Sequence, residues 1–220
     1  MSAVPESPLD PSAPAAGGVP IDPSTPAGGI RLAQRRRAQP NGWWGMVLFL
    51  CAEAMLFGTM IGTYFYLEAG VRHWPPNGIA PEKVLDPSIA TAVLVATTIP
   101  VWFAARAAHK GARRAVIWAL LLAFVVQGAY FAAQVVLLGH DLEHFTPRGT
   151  AYGSIYYTLL GAHHAHVLVG CLLDLAVLWF VIRRGLTNYW LTATRCAALY
   201  WYVVNALAVF VLLTQLSPSL

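Results

Sequence analysis

Apolar residues in this chain do not alternate with polar ones; they come in unbroken runs. Five stretches, about residues 43–67, 87–108, 116–138, 152–181 and 191–216, are apolar on every face. Each is long enough, at about 1.5 Å of rise per residue, to cross a bilayer as a helix. In lipid every backbone polar group must find its partner inside the chain, so helices are the expected solution. The predicted fold class is therefore all-α: a polytopic membrane protein with a five-transmembrane-helix bundle. The first run opens on Trp43 and Trp44 and closes on Tyr64 and Tyr66, the aromatics expected at headgroup level. Pro100 interrupts the second run and predicts a kink there.

Residues 1–40 follow another pattern. Pro5, Pro8, Pro11, Pro14, Pro20, Pro23, Pro26 and Pro40 stand among Ala, Gly and Ser, with apolar residues only scattered. Such a stretch buries too little surface to offset its ordering entropy and is expected to be a disordered tail. It lacks the apolar core of a secretory signal. The chain thus divides into a tail, 1–40, and a membrane domain, 41–220.

Composition agrees with the pattern: 57% hydrophobic and 11% charged residues, with a mean hydropathy of +0.56. The net charge of +4 does not point to nucleic acid, because the basic residues sit in short clusters between the apolar runs. They act instead as topology signals. Arg31, Arg35, Arg36, Arg37, Arg106, Lys110, Arg113, Arg114, Arg183 and Arg184 fall on one side of the five spans. Only Arg72, Lys83 and Arg148 fall on the other. The bias predicts a cytoplasmic N-terminus and an external C-terminus. Cys51, Cys171 and Cys196 form no CxxC pair and read as small buried thiols, not a zinc site or disulfide framework.

Polar residues inside the spans carry the candidate chemistry, since such groups are expensive at membrane depth. The fourth span holds His163, His164 and His166. On a helix His163 and His166 share a face while His164 points about 100° away. Counting helical rise from the predicted cytoplasmic ends puts Glu53 about 15 Å deep and Asp174 about 14 Å deep. Tyr202 and Asn205 fall near 15–20 Å, and His163, His166 and Gln134 near 25–30 Å. An acidic layer and a separate His/Gln layer are expected. Glu53 is expected to be protonated and turned to other helices, with Asp174 in reach of Arg195. Ala54, Gly58 and Gly62 recur every four residues as a small-residue stripe for helix packing. No catalytic residue and no metal ligand set stands out. One histidine cluster on one helix can supply only part of a site, and haem-attachment CxxCH is absent from the sequence.

Several stretches, in their order and spacing, make the chain resemble subunit III of the haem–copper terminal oxidases, the cytochrome c and quinol oxidase family. They are Trp43-Trp44-Gly45-Met46-Val47-Leu48-Phe49 leading to Glu53 and Tyr64-Phe65-Tyr66, then Trp74-Pro75-Pro76-Asn77-Gly78-Ile79 and Tyr152-Gly153-Ser154. Gly161, His163, His166, Val167 and Gly170 follow, with Tyr200-Trp201 in the last span. The resemblance covers about residues 43–216 and is to the five-helix bacterial form. It implies a non-catalytic subunit of an aerobic respiratory chain complex in a bacterial inner membrane. Such a subunit packs on catalytic subunit I, binds phospholipid and supports proton uptake and sustained turnover. Haem and copper would then lie in the partner, with no cofactor in this chain. By the same resemblance Glu53 matches the family's buried glutamate, and His163 and His166 its histidine pair.

The chain also departs from that pattern. Ala129 stands where an acid is common, Arg195 where a glutamate is usual, and Tyr202 and Asn205 replace a histidine and an aspartate. His164 and Asp174 add polarity where the family is apolar or small. An accessory subunit of a nitric oxide reductase is the nearest alternative reading. A small channel or transporter using Glu53 and the histidines is the alternative of a different class.

Overall fold

The computed structural model describes residues 41–76, 79, 84–185 and 187–219. The expected disordered tail, 1–40, lies outside the described residues, as do Asn77 and Gly78 of the quoted loop. The elements are all helical: α1 (Asn41–Ala69), α2 (Leu85–Ala96), α3 (Thr98–His109), α4 (Arg113–His144), α5 (Ala151–Arg184) and α6 (Asn188–Leu216). A short 3-10 turn, Ser217–Ser219, ends the described chain. Helices α2 and α3 together make span two, so five spans are long and apolar enough to cross a membrane.

The break in span two is where the chemistry of proline puts it. Pro100 has no N–H for the carbonyl of Ala96, four residues earlier, and its ring crowds that carbonyl. The helix accordingly stops at Ala96 and restarts at Thr98. Thr97, between them, turns its N–H back to Leu94 O at 3.0 Å. Its hydroxyl meets the same carbonyl at 2.6 Å.

Spans two to five close into a ring. Helix α3 packs on α4 and α6, α4 on α5, and α5 on α6. The core of this ring is built from Leu94, Val101, Ala123, Val167, Trp201 and Val204, all nearly inaccessible. Helix α1 stands outside it, packed on α5 and α6 alone among the described helices. Gly170 sets the approach of α5 and α6: a Cβ there would lie 2.6 Å from Cζ2 of Trp201. The small-residue stripe behaves differently. Ala54, Gly58 and Gly62 are exposed, and a Cβ on either glycine would meet nothing within 4 Å. Among the described residues nothing packs closely on Gly58 or Gly62, and the stripe faces outward.

Each end of the ring is tied. On the basic side Arg113, at the start of α4, donates from Nε to Val181 O at 3.1 Å. Its Nη2 donates to Ile182 O at 2.6 Å, satisfying carbonyls at the C-terminal end of α5. At the other end Thr150 caps α5, its hydroxyl accepting from Gly153 N at 3.0 Å. Tyr64, Tyr152 and Tyr156 pack there into an aromatic cluster with Trp74 and Phe145. Gly111 and Gly185, with φ of +69° and +76°, make the turns on the basic side.

Candidate functional site

Two polar centres emerge, one at the seam between α1 and the ring, the other inside the ring. At the seam, Nε2 of His166 lies 2.9 Å from Oε2 of Glu53. The acidic and histidine layers expected from helical rise are therefore not separate. The reason is length: α5 runs 34 residues, about 50 Å at 1.5 Å per residue, well beyond the hydrocarbon core. Depth counted from its end includes helix outside the bilayer, and tilt adds to the error.

The chemistry of the seam pair follows from its other contact. Nδ1 of His166 lies 2.7 Å from Ala162 O, and a carbonyl oxygen can only accept, so Nδ1 carries a hydrogen. Nε2 is left to face the carboxyl. A single proton then lies between Glu53 and His166, on one or the other. Phe57 places its ring edge-to-face with the imidazole, centroids 5.1 Å apart. Tyr200 donates to the backbone carbonyl of His166 at 2.8 Å. The pair is only partly enclosed, with side-chain exposures of 21% for Glu53 and 18% for His166. One edge of this centre is open to whatever lies beside α1.

The other two histidines do not join it. His164 points into the ring, with Nδ1 2.6 Å from Leu160 O and its plane stacked on Tyr130. His163 is 2% exposed, and neither ring nitrogen has a partner among the described residues. Of His163 and His166, which share a helical face, only His166 has hydrogen-bond partners among the described residues. A shared helical face proved insufficient, because only one of the two stands opposite a polar group.

Inside the ring lies Asp174, 1% exposed. It is not paired with Arg195: the two side-chain ion pairs among the described residues are Glu53–His166 and His140–Glu143. Its neighbour is Gln127 of α4, fully buried, whose amide end lies 3.0 Å from Oδ2. The other end of that amide is 3.2 Å from Oγ1 of Thr97 at the break. Oδ1 of Asp174 and the buried indole N–H of Trp201 on α6 make no hydrogen bond among the described residues. Three of the five spans thus contribute to one buried network. Gln127 was absent from the sequence-based candidates, which took only Gln134 from the same apolar run.

The remaining candidates are scattered. Asn205 is 3% exposed and donates from Nδ2 to Oγ1 of Thr98 at 2.8 Å. Tyr202 is half-buried and lines an apolar hollow with Thr98, Ile99, Trp102 and Phe103. Gln134 is half-buried on α4, one turn from Tyr130. Among the described residues, no three His, Cys, Asp or Glu side chains converge as a metal ligand set would.

Comparison with known proteins agrees with this architecture. Residues 35–216 match the family model described as cytochrome c oxidase subunit III. The chain is 29% identical over 178 residues to cytochrome c oxidase subunit 3 of Coturnix japonica, covering 78% of this chain and 67% of that one. It is 30% identical over 174 residues to the protein of that name from Struthio camelus, covering 76% and 66%. With that of Thermostichus vulcanus it shares 27% identity over 167 residues, covering 74% and 80%. The chain therefore spans about two thirds of its avian relatives and more of the Thermostichus vulcanus protein. With five spans in the expected order and a family match across nearly all of them, the chain belongs to the cytochrome c oxidase subunit III family.

Proposed function

We propose that this chain is the non-redox subunit III of a haem–copper terminal oxidase, packed on catalytic subunit I in a bacterial inner membrane. The observation that carries the reading is the family match over residues 35–216. The nitric oxide reductase and transporter readings draw no support from it, and the relatives share the name cytochrome c oxidase subunit 3.

The geometry supports a division of labour. The ring of spans two to five closes on its own side chains, whereas α1 offers an open, small-residue face carrying Ala54, Gly58 and Gly62. In a membrane such faces allow close helix approach and van der Waals association. That face is the proposed contact for the catalytic subunit. The Glu53–His166 pair, open at its edge, is placed to support proton uptake by the partner, in which haem and copper do the electron transfer. Phospholipid would fill the exposed apolar surface, including the hollow beside Tyr202. The N-terminus is proposed to be cytoplasmic, so a cysteine at Lys110 should react with a membrane-impermeant thiol reagent only from that side.

Deletion of the gene tests the functional reading. Haem spectra of the oxidase should persist while sustained turnover, proton uptake or assembly yield falls. An oxidase unchanged in all three would overturn it.

A further inference from the structure

The aim of His166 is set by more than its own helix. Its Nδ1–H is bonded to Ala162 O, one turn back on α5, at 2.7 Å. That contact fixes the ring against α5 and leaves Nε2 for Glu53 at 2.9 Å. Whether Nε2 reaches the carboxyl then depends on where α5 stands relative to α1. Helix α1 rests on α5 and α6 together. Its Phe57, one turn beyond Glu53, clusters with Leu159 of α5 and with Leu207 and Val211 of α6. The spacing of α5 and α6 therefore sets the seat of α1.

That spacing is gripped at one turn. On α6, Tyr200 and Trp201 are adjacent and at most 1% exposed. The Tyr200 hydroxyl donates to the backbone carbonyl of His166 itself, at 2.8 Å. A helical carbonyl already accepts the N–H four residues on, here that of Gly170, so Tyr200 takes the second lone pair. Trp201 lies on Gly170, where a Cβ would come within 2.6 Å of the ring. Two consecutive residues of α6 thus hold the two ends of one turn of α5, from His166 to Gly170. From the 2.9 Å seen at the seam, about 0.6 Å of added separation loses the hydrogen bond, so the pair tolerates little slack in that grip.

We propose that Tyr200 is a positioning residue for the seam pair: its hydroxyl holds the His166 turn of α5 so that Nε2 stands within hydrogen-bond distance of Glu53. It acts through the backbone of His166, from a third helix. Tyr200 was not among the sequence-based site candidates, because a tyrosine in an apolar span reads as packing until its hydroxyl is placed. Its functional weight rests on the reading that the pair supports proton uptake; its geometry does not.

Infrared difference spectroscopy of the full chain in its native complex tests this. The band lost in Glu53→Gln identifies the Glu53 carboxyl, whichever member of the pair holds the proton. In Tyr200→Phe that band should be displaced from its wild-type position, because the carboxyl loses or weakens its bond to Nε2. Tyr200→p-aminophenylalanine, which keeps a donor in place of the hydroxyl, should bring the band back. Tyr157→Phe is the control: it removes a tyrosine bond of similar length from the same helix, 2.9 Å to Phe145 O, and should leave the band in place. If Tyr200→Phe fails to assemble, Gly170→Ala pushes α6 off the same turn and should displace the band instead. A band unmoved by whichever of these two assembles, or moved as far by Tyr157→Phe, would overturn the assignment. A displaced band with turnover and proton uptake unchanged would support the positioning and count against the proton-uptake reading instead.

Discussion

The two intramembrane carboxyls of this chain live under different rules. Glu53 sits at the seam between α1 and the ring, one-fifth exposed, with a histidine opposite. Asp174 sits inside the ring, 1% exposed, with a neutral amide opposite. An exposed edge lets a group change partners when a neighbouring subunit or lipid arrives. A sealed one must be satisfied by its own fold. The seam is thus open to its surroundings, and the interior is closed by the ring itself.

The comparison predicts unequal responses to the loss of a partner. Gln127→Leu removes the main hydrogen bond to a sealed carboxyl and should cost about 1–3 kcal/mol of stability. His166→Leu should cost about 0.5–1 kcal/mol, near the value of interhelical hydrogen bonds in membranes, because Glu53 keeps an open edge. Thermal unfolding of the purified chain in detergent would rank the two, and the reverse order would break the comparison.

Glycines sharpen it further. Gly170→Ala drives a methyl into Trp201, a fully buried ring, and overpacking of that kind costs about 1–3 kcal/mol. Gly58→Ala and Gly62→Ala add a methyl to open space and should leave unfolding of the isolated chain unchanged within about 0.5 kcal/mol. Their effect should appear only in the complex, as weaker retention of the chain during purification. Unfolding shifts in the isolated chain at Gly58 as large as those at Gly170 would mean that α1 is packed, not open. The smallest expected effect is that of Gly161→Ala, another open position, which should be silent in both assays.

How much of this could be read from the chain follows from the kind of signal each feature leaves. The five spans were legible because a bilayer forces most residues of a crossing helix to be apolar, and that pattern survives any arrangement of the helices. The kink was legible from Pro100, although the break itself falls at Thr97, next to the Ala96 carbonyl that Pro100 cannot serve. Glu53 and His166 were each visible as costly polar residues, but their pairing was not. It depends on where two helices start relative to the membrane, which hydropathy blurs by several residues. Asp174 was visible too, but assigned to Arg195 by sign of charge alone. Gln127, the partner it has, is neutral and isolated in the sequence, so only the fold brings it to notice. The stripe at Ala54, Gly58 and Gly62 was legible as a small-residue face; that it lies exposed among the described residues was not.

The central claim is that the open side of this chain is completed by a haem–copper catalytic subunit. Tagging the full chain at its C-terminus and purifying it from native membranes in mild detergent tests that most directly. The account predicts co-purification of a stoichiometric partner whose reduced-minus-oxidised spectrum shows the haems of a terminal oxidase, with the yield of that partner reduced by Gly58→Leu. A chain that purifies alone, or with a partner devoid of haem, would contradict it.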